Sequence, residues 1–228
     1  LDPKGNFIRQ IRKLKPIIVF NALHGRFGED GYIQSILEAE KIKYTHSGAL
    51  ASSIAIDKEV SKKFFLKKKI KTPKYFVYNY YENINIYNLI KKNRINFPIV
   101  IKPINEGSSL GVYICTKKNL HKNLKKLEKY NRILIEEYVP GREIQVAIMN
   151  KKALGAIELK PKRKFYDYYA KYSSKAKTKH IMPAPMEAKK YKEVLNIAQR
   201  AHIALGCRGI TRSDFRYHKN KFYLLEVN

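Results

Sequence analysis

Apolar and polar positions along this chain fall into two alternating rhythms, and their alternation predicts an α/β or α+β protein. Short apolar runs such as Ile17–Phe20 and Pro98–Ile101 have the length and composition of buried strands. The first is followed by a glycine-rich loop, Gly25 to Gly31, and then by a helix with Ile33, Ile36 and Leu37 on one face. Asp57 is placed to cap a helix carrying Val60, Phe64 and Phe65, which Thr72-Pro73 should end. Strands are expected near Tyr75–Tyr78, Pro98–Lys102, Gly111–Cys115 and Arg132–Tyr138, with a lysine-rich helix near Lys117–Tyr130.

From Arg142 onward the pattern is strand-rich. Ile144, Val146 and Ile148 alternate with Glu143, Gln145 and Ala147, the period of a half-buried strand. The clearest helix spans Ala188 to Leu205, with Tyr191, Val194, Leu195, Ala198, His202 and Leu205 on one stripe and Gly206 as the stop. Two strands, Ile210–Tyr217 and Lys221–Asn228, close the sequence around a Lys219-Asn220 turn. No run approaches the ~20 apolar residues of a membrane span, and the polar opening stretch does not read as a secretory signal.

Composition adds one strong feature. There are 47 basic and 19 acidic side chains in 228 residues, a formal charge of +28. Such a field concentrates anions, nucleotides among them, and could hold nucleic acid. No nucleic-acid motif accompanies it, and lysine runs such as Lys67–Lys69 and Lys125–Lys126 suit solvated helix faces. No specific nucleic-acid partner and no membrane partner are expected. Cys115 and Cys207 are too few for a disulfide framework, which fits a reducing cytoplasm.

Candidate chemistry gathers at the closing strands. Side chains alternate across a strand, so Arg212 and Asp214 share a face, as do Glu226 and Asn228. A hairpin would bring two carboxylates, an amide and a guanidinium together, a hard-oxygen set suited to magnesium. The segment Lys102-Pro103-Ile104-Asn105-Glu106-Gly107-Ser108-Ser109-Leu110-Gly111 lies between two strands. Its backbone amides could surround phosphate oxygens while Lys102 supplies charge, or it is an ordinary turn. Around Glu136, Glu137, Val139 and Glu143, a hinge strand could meet an adenine edge, with Glu143 accepting from ribose hydroxyls. His24, and the run Tyr166, Tyr168, Tyr169 and Tyr172 with Lys171, could be structural or could border a substrate.

Taken in order, these segments resemble the D-alanine–D-alanine ligase family. Ala22-Leu23-His24-Gly25-Arg26-Phe27-Gly28-Glu29-Asp30-Gly31 is similar to the family's His-Gly loop, and Tyr44-Thr45-His46-Ser47-Gly48 through Asp57-Lys58 to its next signature. Lys102 to Gly111, Phe165-Tyr166-Asp167-Tyr168, Ala170-Lys171-Tyr172, Arg212-Ser213-Asp214-Phe215 and Leu224-Leu225-Glu226-Val227-Asn228 continue the match.

The resemblance implies an ATP-grasp fold with a partial Rossmann-like lobe over 1–57, a central lobe over 58–136 and a catalytic lobe over 137–228. It implies a reaction in which ATP and two D-alanine molecules give the dipeptide through a D-alanyl phosphate, with two Mg2+ or Mn2+ ions. It places Lys58, Lys102, Lys171, Ser108, Ser109, Glu136, Glu137, Val139 and Glu143 around ATP. Asp214, Glu226 and Asn228 would hold metal. Arg212 would stabilise the transition state, with Ser108 also catalytic and His24 and Tyr172 near D-alanine. A tyrosine at 172 goes with dipeptide-forming rather than depsipeptide-forming members; D-lactate or D-serine as second substrate, and a catalytically inactive nucleotide binder, are the alternatives. Tyr169 stands where the family usually has an acid. A glutamate-bearing turn before Ile17 and a Pro-Gly-Met turn after Asn228 are not seen, so the chain is expected to be trimmed at both ends. A homodimer is also expected.

Overall fold

A computed structural model describes residues 5–82, 84–161 and 178–228. The first part holds helix α1 (Phe7–Leu14), strand β1 (Ile18–Val19), helix α2 (Tyr32–Ala39) and strand β2 (Lys43–Tyr44), the two strands pairing in parallel. Phe7, Ile11, Ile33 and Leu37 form a small core here. The expected buried strand at Ile17–Phe20 is corrected by this arrangement. Only two residues pair, and Ile17 and Phe20 are 91% and 69% exposed. One neighbouring strand is all that pairs with this short run among the described residues.

Helices α3 (Ala49–Ile56) and α4 (Lys58–Lys67) follow. Asp57 does cap α4, accepting from the backbone N–H groups of Glu59 and Val60 at 3.0 and 2.9 Å. The helix stops at Lys67, not at Thr72-Pro73. Lys69 takes a left-handed φ of 55°, Ile70 N–H bonds Phe65 O, and Lys69 N–H bonds Leu66 O. That is the terminator usually built on glycine, here built on lysine, so the sequence carries no stop signal. Phe65 and Ile70 meet in the core beneath it.

Two antiparallel sheets make up the rest. The four-stranded sheet has the order β3 (Tyr75–Asn79), β6 (Arg132–Glu137), β4 (Ile99–Pro103), β5 (Tyr113–Cys115). Alternation sends Ile99, Ile101, Ile133 and Ile135 into a core under helices α5 (Ile86–Lys92) and α6 (Leu120–Leu127). Val100, Lys102, Leu134 and Glu136 consequently face the other way.

The five-stranded sheet has the order β11 (Lys221–Val227), β10 (Ile210–His218), β7 (Arg142–Met149), β8 (Lys152–Lys160), β9 (Lys179–Ile181). Its inner face packs Ile144, Val146, Ile148, Phe215 and Leu224 against Val194, Ala198 and Ala201 of helix α7 (Ala188–Ala204) and against α3 and α4. The Lys219-Asn220 turn has both residues at positive φ, 46° and 60°, the geometry that matches the twist of a tight hairpin. Among the described residues no helix is long and apolar enough to cross a membrane.

Candidate active site

The outer faces of the two sheets border an open cleft, about 870 Å³ counted out into solvent. Its wall on the four-stranded side is built around a buried carboxylate. Lys102 on β4 and Glu136 on β6 are diagonal neighbours in the register, since Lys102 lies opposite Leu134. The Lys102 ammonium is 2.5 Å from Glu136 Oε1. Lys62 of α4 approaches Glu136 Oε2 at 2.9 Å and donates to Thr72 Oγ1 at 2.5 Å. Lys62 is fully buried, and its ammonium sits 5.4 Å from the Tyr75 ring centroid.

Burial pushes the Lys62 ammonium down to about 8 against the pull of Glu136. Burial also works to raise the Glu136 carboxyl, but Lys102 and Lys62 outweigh it and hold the group below its ordinary value. Two cations on one acid leave a surplus positive charge on this wall, where water cannot screen it well.

Lys58, the first residue of α4, adds a third cation. Its ammonium donates to the Glu106 carbonyl at 2.6 Å and stands 3.7 Å from Glu226 Oε2. Burial lowers its proton affinity, with Glu226 opposing that shift. The loop from Asn105 to Leu110 is thereby tied to α4. Ser109, Leu110 and Glu106 border the cleft, and Ser108 and Ser109 both have positive φ, 52° and 59°.

The opposite wall is the terminal hairpin. Asp214 pairs with Glu226, and Arg212 exchanges two backbone hydrogen bonds with Asn228 at 2.8 Å each. A bulge between these pairs and Phe215↔Leu224 leaves Leu225 as the extra residue. Without it, Glu226 would share the face of Leu224 and point into the core. The bulge switches the alternation, so Phe222 and Leu224 are core residues while Glu226 borders the cleft.

Arg212 grips Asp214 with two parallel bonds, Nε to Oδ1 at 2.7 Å and a terminal nitrogen to Oδ2 at 3.0 Å. Asp214, partly opposed by burial, holds the guanidinium proton more tightly than usual. Asn228 donates to Asp214 Oδ2 at 3.4 Å. Among the described residues no three His, Cys, Asp or Glu side chains converge. The donors at the hairpin are two carboxylates and one amide, all hard ligands, and magnesium ordinarily takes one or two carboxylates and completes its shell with phosphate and water. The donor chemistry fits such an ion.

Beyond Arg212 and Asn228 lies a second open hollow, about 1010 Å³ counted out into solvent and bordered also by His24, Glu29, His46 and Ser47. Glu29 accepts from Gly25 N–H at 2.6 Å and lies 3.8 Å from His24 Nδ1. His46, partly buried, has its proton affinity lowered by desolvation, and Thr45 Oγ1 lies 2.8 Å from its Nδ1. The two loops that floor the cavities touch backbone to backbone: a Cβ on Gly107 would sit 2.6 Å from Gly25 Cα. Arg212 and Asp214, joined to each other, therefore stand where the two hollows meet.

At the far end of the first cleft, Glu137, Tyr138, Val139 and Glu143 line the approach from the hinge between β6 and β7. Glu143 Oε1 is 3.0 Å from an Arg216 nitrogen. Of the residues expected at the site, Lys58, Lys102, Ser109, Glu136, Glu137, Val139, Glu143, Asp214 and Glu226 border one cleft, and His24, Arg212 and Asn228 border the adjoining one. Lys171 and Tyr172 lie outside the described residues. Lys62, Glu29 and Arg216 were not anticipated. Lys62 sits in a Lys-Lys pair that reads as solvent-facing, and only its spacing of four from Lys58, one helical turn on the same face, pointed inward.

Two antiparallel sheets closing on a cationic cleft, with acids on one lip and lysines on the other, define the ATP-grasp class. Solved structures of the same shape include a D-alanine–D-alanine ligase from Bacillus anthracis (TM-score 0.84, 33% identity, 100% of this chain and 73% of that one). A complex of the Bacillus anthracis ligase with ATP gives a TM-score of 0.82 at 27% identity over 99% of this chain and 72% of the other. Residues 69–228 match the family model described as D-ala D-ala ligase C-terminus. The D-alanine–D-alanine ligase of Pelagibacter ubique is 61% identical over the whole chain, which spans 75% of that protein. The chain belongs to the D-alanine–D-alanine ligase family.

Proposed function

We propose that the chain joins two D-alanine molecules at the expense of ATP, giving D-alanyl-D-alanine, ADP and phosphate. One observation carries the reading: the Arg212–Asp214 pair stands between a cation-lined cleft and a second hollow, as a shared reaction centre for nucleotide and amino acid requires. In the first step a carboxylate oxygen of one D-alanine bonds to the γ-phosphorus as the bond to the ADP oxygen breaks. The amine of a second D-alanine then attacks the acyl carbon, phosphate leaves with the C–O bond electrons, and the amine surrenders a proton.

Both reactants of the first step are anions, so the barrier falls only where fixed cations offset their repulsion. Lys58 and Lys102 are assigned to the phosphates, with the Ser108–Ser109 loop over them and the hinge at Glu137 and Val139 along the adenine edge. Glu143 is assigned to the ribose hydroxyls. Arg212 is assigned to the oxygens of the transferring phosphoryl group and the acyl phosphate. Asp214, Glu226 and Asn228 are the residues that would hold Mg2+ or Mn2+, which supplies further charge neutralisation at the phosphates. His24, with Glu29 3.8 Å from its Nδ1, borders the hollow assigned to D-alanine.

The test is phosphate release from ATP with and without D-alanine, combined with chromatography of the product and competing D-lactate and D-serine. Release that depends on D-alanine and yields the dipeptide is expected. ATP turnover indifferent to D-alanine, or a depsipeptide product, would reject the assignment.

A further inference from the structure

Strand β10 presents three charged residues at every second position on one face: Arg212, Asp214 and then Arg216. The first two stand at the reaction centre, and the third lies one strand period further toward the hinge. Arg216 is only 8% exposed, unusual for an arginine, and it borders the nucleotide cleft. In the β10–β7 register it is directly opposite Glu143. One terminal nitrogen is 3.0 Å from Glu143 Oε1, the other donates to the Gly141 carbonyl at 3.1 Å, and the guanidinium carbon is 5.9 Å from the Tyr138 ring centroid. One planar fork thus touches both the acid on β7 and the turn that joins the hinge to that strand.

We propose that Arg216 is the positioning residue for the nucleotide's sugar, fixing the Glu143 carboxylate and the Tyr138–Gly141 hinge in one register so that a ribose hydroxyl is selected at Glu143. This rests on the assignment of Glu143 to the ribose. A carboxylate has about four acceptor sites on its two oxygens, so engagement with the fork is compatible with accepting from a hydroxyl. A rigid guanidinium restrains the carboxylate plane in a way that a point-charge ammonium does not. Without Arg216, the Glu143 carboxylate would lose the 3.0 Å ion pair that ties it to β10. The effect should appear in nucleotide binding rather than in the chemical step.

The experiment measures KM and kcat with ATP, 2′-deoxy-ATP and 3′-deoxy-ATP on the full-length protein and on Arg216→Met, Arg216→Lys and Glu143→Ala. Wild type should prefer ATP over at least one deoxy analogue by about tenfold, the scale of one charge-assisted hydrogen bond. Arg216→Met should raise KM for ATP about tenfold while the KM for D-alanine stays put, and the preference for the hydroxyl should collapse. Arg216→Lys should recover part of that preference, and it serves as the reading if Arg216→Met does not fold.

Glu143→Ala that keeps the preference sinks the ribose assignment itself. Loss of the preference in Glu143→Ala but its retention in both Arg216 variants overturns the inference alone. Equal weakening of all three nucleotides by the Arg216 variants also overturns it, because a merely structural arginine would do that.

Discussion

Lys102 and Glu136 hold their charges 2.5 Å apart across adjacent strands, and the second oxygen of Glu136 is held by Lys62. The acid is thus the common counter-ion of two buried ammonium groups. Glu136→Gln removes it and leaves both cations in low dielectric. Breaking a buried pair from one side typically costs about 3–5 kcal/mol, and urea unfolding should register a loss of that order. A change within about 0.5 kcal/mol, typical of a surface site, would mean that water already serves these lysines.

Lys62 gives a pH signature with two opposite signs. In the folded protein its ammonium is pushed down to about 8, whereas an unfolded chain keeps a lysine charged to about 10.4. Between those values the unfolded state binds more protons, so this group makes stability rise with pH. Nucleotide affinity should move the other way, because the buried layer behind the cleft loses a cation as pH passes about 8. KM for ATP is expected to climb through that range in wild type and to lose this inflection in Lys62→Met. Identical pH profiles for the two proteins would remove Lys62 from the site.

Gly107 meets Gly25 where a side chain on Gly107 has no room. A methyl on Gly107 would lie 2.6 Å from Gly25 Cα and 3.2 Å from Glu29 Oε2, and backbone cannot yield as a flexible side chain would. On the proposed assignment, Gly107→Ala should therefore raise KM for both ATP and D-alanine, since it displaces the 105–110 loop and the His24 loop together. An effect confined to one substrate would show that the loops move independently.

Glu226→Gln keeps the size of the side chain and removes its charge. If Glu226 helps to hold magnesium, the concentration of Mg2+ giving half-maximal activity should rise about tenfold or more, and excess Mg2+ should restore part of the rate. An unaltered Mg2+ titration would remove Glu226 from the magnesium set.

Much of this arrangement could be read in the sequence because period-2 alternation makes faces visible. Ile144, Val146 and Ile148 disclosed a core strand, and Arg212 with Asp214 disclosed a polar face on β10. The hairpin turn at Lys219-Asn220 was equally plain. The bulge at Leu225 was not. One extra residue reverses the alternation, and nothing in Leu-Leu-Glu distinguishes a bulged strand from a regular one. That Glu226 and Asn228 share a face was legible, but that this face is the cleft rather than the core was fixed only by pairing with β10. Lysine chemistry was similarly opaque. Lys62 and Lys63 are adjacent and identical, yet one is buried against Glu136 and the other pairs at the surface with Glu59. Helical phase separates them, and Lys69 hid the end of that helix by occupying a glycine's conformation. The strand at Ile17 shows the reverse error, an apolar run with only one short strand to pair with among the described residues.

Asp214 borders one hollow and Arg212, bonded to it, borders the other. A single small molecule with a phosphate-like group at its middle, an amino-acid arm at one end and a planar heterocycle at the other could occupy both at once. Such a bridging inhibitor would gain from the tethering of its two halves, and a lengthening series of linkers would measure the thickness of the partition directly.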